Sequence, residues 1–95
     1  MFGKEFKIDG YNNQFRFKNL NAIEILSLQT QIDFSNYEKS VKTVNMVLEN
    51  TEINLGDKWL PVKDKKDYYP VGIENDYKAI DKISKLFLEE IKSVF

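Results

Sequence analysis

The sequence predicts an α+β fold: an N-terminal β-hairpin packed with about three α-helices, in a single domain over residues 1–95. Three observations carry this. Two short segments near the N-terminus alternate apolar and charged residues at period two, as half-buried strands do. Three later segments repeat apolar residues at steps of three and four, as amphipathic helices do. A chain of 95 residues has room for one core and, at roughly 60–65% surface burial on folding, none for a large internal cavity.

Glu5–Asp9 places Phe6 and Ile8 on one face, with Glu5, Lys7 and Asp9 on the other. Gln14–Lys18 sets Phe15 and Phe17 against Gln14, Arg16 and Lys18. The turn-tolerant run Asp9-Gly10-Tyr11-Asn12-Asn13 joins them into a hairpin with one apolar and one wet face. A first helix is expected over Leu20–Ile32. Asn21 and Glu24 have the spacing of a capping box. Ala22, Ile25, Leu26, Leu28 and Ile32 give it a broad apolar face, which Ile23 widens almost all round, so this helix is expected to be the most buried. Ser35-Asn36-Tyr37-Glu38 reads as a capping box that starts a second helix, running to about Glu49 with Asn50 as C-cap. Its stripe of Phe34, Tyr37, Val41, Val44 and Leu48 has heptad spacing suited to packing along another helix. Glu38 and Lys42 form an i,i+4 pair.

Thr51–Leu55 reads as a short strand or a loop, and Gly56-Asp57-Lys58 as a turn. Trp59-Leu60-Pro61-Val62-Lys63 is extended, available as a third strand, and Pro61 confines it to a sheet edge or leaves it unpaired. The final helix is expected over Glu74–Phe95, capped by Asn75 with Asp76 in its first turn. Its stripe is Tyr77, Ile80, Ile83, Phe87, Ile91 and Val94. The expected core is Phe6, Ile8, Phe15, Phe17, Ile25, Leu26, Val41, Val44, Leu48, Ile80, Ile83 and Phe87.

Composition narrows the chemistry. The chain has no His and no Cys, so it lacks disulfides, thiol nucleophiles, thiolate metal sites and the commonest general base. Catalytic, cofactor and metal sites are all expected to be absent. Ser27, Ser35, Ser40, Ser84 and Ser93 show no nucleophile elbow, and Gly3, Gly10, Gly56 and Gly72 form no phosphate-binding loop. The carboxylate pairs Asp64/Asp67 and Glu89/Glu90 read as solvated surface groups, and nothing in the pattern signals a buried ionisable residue. Net charge is −1 with one arginine among fourteen basic residues, which argues against nucleic acid as a partner. No apolar run approaches the ~20 residues of a membrane span, and the N-terminus lacks a signal-peptide apolar region, so a cytoplasmic protein is expected.

Two basic groups remain. Lys58, Lys63, Lys65 and Lys66 interleave with Asp57, Asp64 and Asp67 and read as a solvated loop. Lys78, Lys82, Lys85 and Lys92 share one side of the last helix with Glu89; they read as its solvent face, with an acidic partner as the rival reading. Trp59, the only Trp, anchors either the charged loop on the core or a partner; the core role is the expectation.

The succession of hairpin and helix, Trp59-Leu60-Pro61-Val62, Tyr68-Tyr69-Pro70, and a terminal helix bearing Phe87-Leu88 and Val94-Phe95 resembles the small tail assembly chaperones of long-tailed bacteriophages and prophages. The resemblance covers most of the chain and is strongest from Trp59 onward. It implies a non-enzymatic protein of the infected bacterium's cytoplasm, absent from the mature virion. Such a protein self-associates, coats the apolar tape-measure protein, keeps it soluble, and yields as tail-tube subunits polymerise. On this resemblance, a chain ending at Phe95 is expected to correspond to the family's short form. Two other functions fit the same features: a tail-completion or connector subunit of the phage particle, and a small inhibitor or antitoxin that sequesters one protein.

A protein-interaction surface is expected at the end of the last helix. Leu86, Leu88 and Phe95 lie off the main stripe; Leu88 is about 100° from Phe87 around the helix. Phe87, Leu88, Ile91 and Phe95, with Trp59, are therefore the candidate residues for homo-oligomer formation and client binding.

Overall fold

The computed structural model describes residues 2–94. Four strands form one antiparallel sheet in the order β1-β2-β3-β4: β1 Glu5–Phe6, β2 Phe15–Phe17, β3 Thr51–Asn54 and β4 Trp59–Pro61. Three helices accompany it: α1 Ala22–Gln29, α2 Tyr37–Glu49 and α3 Tyr77–Val94. The fold class is α+β, as the sequence predicts.

The expected hairpin forms, with shorter strands than the alternation suggested and with Glu5 opposite Arg16 and Phe6 opposite Phe15. Gly10, at φ +90°, supplies the left-handed turn residue that a side chain would oppose. The 51–55 segment resolves to a strand: Phe15 pairs with Ile53, and Ile53 in turn with Leu60. The row Phe6, Phe15, Ile53, Leu60 thus lies on one face, and Phe15 and Ile53 are fully buried. Pro61 sits on the outermost strand, where its missing N–H breaks no further ladder.

Both α1 and α2 are inserted between the neighbouring strands β2 and β3. The capping box of α1 is present: the Asn21 carboxamide accepts from the Glu24 N–H at 2.9 Å and the Glu24 carboxylate from the Asn21 N–H at 3.0 Å. The expected depth of this helix is not. Ile25 alone is buried, while Ile23 and Leu26 are exposed. Only two turns form, so one line of side chains reaches the core and the rest of the apolar girth faces outward. The cap of α2 is Asn36, one residue beyond the expected Ser35, with its carboxamide accepting from the Lys39 N–H at 2.9 Å.

The 30–35 connection is fastened by Thr43, a buried residue the apolar pattern did not single out. Its hydroxyl accepts from the Asp33 N–H at 2.9 Å and faces the carbonyls of Asp33 and Lys39 at 2.9 and 3.0 Å. Thr43→Val keeps the shape and strands these groups. We expect a loss of about 1–3 kcal/mol, read as a lower urea midpoint; an unchanged midpoint would mean that water replaces the hydroxyl at no cost.

A single 3₁₀ turn, Ile73–Asn75, precedes α3. The cap of α3 is Asp76, not Asn75: one carboxylate oxygen accepts from the Ala79 N–H at 3.1 Å, and the other from the Tyr11 hydroxyl at 3.0 Å. Tyr11 thereby ties the hairpin loop to the helix start. Burial, then the Asp76 hydrogen bond and charge, push the Tyr11 phenol above its ordinary pKa.

The buried line of α3 is Ala79, Ile83, Phe87 and Ile91. Ile80 is half-buried, and Tyr77 is 80% exposed. Ile73, in the 3₁₀ turn just before the helix, is fully buried instead. The core unites these residues with Phe2, Ile8, Phe15, Phe17, Ile25, Met46, Val47, Leu48, Ile53 and Val62. Phe6 and Val44 pack against its edge, whereas Leu26 and Val41, both expected inside, are exposed.

Candidate functional site

Two of the residues expected to form an interaction surface at the end of α3 are buried in the monomer. Phe87 is fully buried and Ile91 is 4% exposed, so both serve the core. Leu88 is half-buried. Phe95 lies outside the described residues, as does the side chain of Val94. Helical spacing alone could not divide this stripe between core and partner, because both uses demand the same period.

Trp59 is likewise not in the core. It pairs with Asn54, one position out of phase with Ile53 and Leu60, and so projects from the opposite sheet face. The Arg16 guanidinium lies 4.0 Å from the centre of its ring and also binds the Glu52 carboxylate at 2.9 Å. Arg16 holds the indole half-covered and is itself neutralised by Glu52 across the strand pair.

Exposed apolar residues collect instead on the α1–α2 side. The predicted heptad stripe of α2 runs out of the core along its length. Leu48 is 2% exposed and Val44 half-buried; Val41 is 39% exposed, and Phe34 and Tyr37 are 50% and 85%. Leu48 and Val44 bury their part of the ridge, while Tyr37 and Val41 stand uncovered, and Phe34, which the stripe was expected to include, lies exposed in the connection before the helix. On α1, Ile23 borders a shallow depression lined by Leu20, Leu28 and Asn50. The signal for this surface was in the sequence, in the heptad spacing of α2; the sequence did not say which end of the stripe the core would reach.

The charged loop is more than a solvated connection. Lys63 is buried, with its ammonium 2.9 Å from the Asp67 carboxylate, 3.3 Å from Glu49 and 3.1 Å from the Asp64 carbonyl. Burial alone would lower its pKa. The hydrogen bonds and charges of Asp67 and Glu49 outweigh burial and raise it above the ordinary lysine value. Asp64 organises the turn: its carboxylate accepts from the N–H groups of Tyr68 at 2.9 Å and Lys66 at 2.8 Å, which hold its pKa below the carboxylate norm. Asp67 adopts φ +62°, a left-handed conformation Asp tolerates. Asp64 and Asp67 are thus both engaged in the loop, and the expectation of no buried ionisable group is corrected by Lys63.

Among the described residues, no three acidic side chains converge as metal ligands would, and no helix is long and apolar enough to cross a membrane. Protein-family models, curated proteins and solved structures yield no match to this chain.

Proposed function

We propose that this chain is a tail assembly chaperone: a non-enzymatic protein of the bacterial cytoplasm that binds a phage tape-measure protein and keeps it soluble until tail-tube subunits assemble around it. The observation carrying this reading is the uncovered apolar surface of Tyr37 and Val41 at the start of α2, with Phe34 exposed in the connection just before it. A long, apolar, helical client presents ridges at the same three-four spacing, and packing along α2 continues the pattern that Leu48 begins in the core and Val44 carries to its edge. Tyr and Phe offer large contact areas at low cost in side-chain entropy. The resemblance of the chain from Trp59 onward to this family supplies the client's identity.

The test is co-expression with a phage tape-measure protein, measuring the fraction of the client that stays soluble. The parent is expected to raise that fraction, and Phe34→Asp with Tyr37→Asp to abolish the gain with the chain's own melting temperature nearly unchanged, since both side chains are exposed. A client equally soluble with and without the parent chain refutes the chaperone reading. A gain retained by the variant moves the client surface off α2.

A further inference from the structure

A second surface, which shares no residue with the exposed side of α2, lies between the hairpin loop and the start of α3. Where the hairpin loop meets α3, Lys7, Asp9, Tyr77, Lys78, Asp81, Lys82 and Lys85 line an open cleft of about 780 Å³. Its charges are not balanced as their count suggests. Asp81 is occupied by the Lys85 ammonium at 2.8 Å. Asp76, at the rim, is used by the Ala79 N–H and the Tyr11 hydroxyl. Lys7 reaches a backbone carbonyl, that of Asn12, at 2.8 Å. Among the described residues, neither Lys78 nor Lys82 has a carboxylate within ion-pair distance. They stand four apart on one helix face, a like-charge arrangement that is locally unfavourable and is relieved by an external anion. Lys85 and Lys92 continue the same side of α3. The exposed Tyr77 ring flanks the group.

We propose that this cleft binds an acidic segment of a partner protein, with Lys78 and Lys82 as the principal contacts and Lys7 closing the far wall. Geometry favours an extended acidic peptide. Lys78 and Lys82 rise about 6 Å apart along the helix, close to the about 6.8 Å between alternate residues of an extended chain. Carboxylates on one face of such a segment therefore meet successive lysines. A nucleic-acid backbone fits less well: phosphate forks favour arginine, and Arg16, the chain's one arginine, is held by Glu52 on the sheet, away from the cleft lining. Such contacts steer association and fix register, and they weaken with salt.

Fluorescence anisotropy of a labelled peptide of alternating Glu and Gly residues tests this at low ionic strength. The parent is expected to bind it, and Lys78→Glu with Lys82→Glu to weaken binding by about tenfold or more. Lys39→Glu with Lys42→Glu changes net charge equally at sites already paired with Asp33 and Glu38, and is expected to shift affinity far less. Circular dichroism checks that the variants fold; should the glutamate pair disturb α3, Lys78→Gln with Lys82→Gln is expected to show a smaller loss in the same direction. Failure of the parent to bind, or an equal loss from the Lys39/Lys42 variant, overturns the proposal. So does tighter binding of a charge-matched oligothymidine, which would make the cleft a nucleic-acid site. None of these outcomes bears on client binding at α2, so the two readings fail separately.

Discussion

Phe87→Ala is expected to remove about 3–5 kcal/mol of stability, the range for truncating a fully buried Phe. Phe87 has no exposed surface and stands where three parts of the chain converge. Its ring meets Phe17 of β2 edge-on at 5.3 Å and Phe2 of the N-terminal segment edge-on at 5.7 Å. Truncation therefore opens a cavity and dissolves two aromatic contacts, each worth about 0.5–1.5 kcal/mol within that total. A domain of this size has only about 5–15 kcal/mol in hand. At about 4–8 °C per kcal/mol the melting temperature should drop by more than 10 °C. Phe87→Leu, which keeps most of the volume, should cost distinctly less. A denaturation midpoint unchanged by Phe87→Ala would remove the residue from the core, and would return it to the surface role that its place near the chain end first suggested.

That double reading of Phe87 shows what periodicity can and cannot tell. The hairpin was legible because its alternation leaves a single solution: shifting Phe6, Ile8, Phe15 and Phe17 by one residue would bury Lys7 and Arg16. The phase of α3 was less so. Counting large side chains selects Tyr77 and passes over Ala79, yet the buried residues at the helix start are the small Ala79 and, from the 3₁₀ turn, Ile73. Helix α1 misleads for a different reason. Its apolar residues surround the axis, which normally signals full burial, but two turns have one neighbour-facing line, and Ile23 and Leu26 are left outside.

The candidate surfaces follow the same logic. The α2 stripe was readable as a packing face, but its division between core and solvent depends on how far α2 overhangs the sheet and α3, which no local pattern records. The lysines of α3 were readable as one helix side; only the fold brings Lys7 beside them and commits Asp76 to Tyr11 and the helix start. Trp59 was misplaced because a lone Trp usually joins the core, whereas here the strand register sends it to the other face, under Arg16.

Lys63 carries the second large effect, and the direction of the effect depends on which partner is removed. Its ammonium is buried, whereas its partners are not: Glu49 is 29% exposed and Asp67 is 78% exposed. Replacing both carboxylates, by Glu49→Gln and Asp67→Asn, leaves an uncompensated buried charge. The expected cost is about 3–5 kcal/mol, or else Lys63 gives up its proton or withdraws to water and the 63–68 turn opens. Lys63→Met in the wild-type background should be nearly neutral, because a chain of similar volume replaces the stem and the two carboxylates can hydrate. Added to the double variant, Lys63→Met should recover most of the loss. The pH dependence has a definite sign. Because the folded pKa of Lys63 is raised, its contribution is fully present below the unfolded value of about 10.5 and is lost as pH rises through the folded value. Wild-type stability should therefore fall more steeply in that alkaline window than that of Lys63→Met. Chemical denaturation of the four proteins across alkaline pH decides the matter: if Lys63→Met fails to rescue the double variant, the loss lies in the turn's backbone conformation at Asp67 and not in a stranded ammonium.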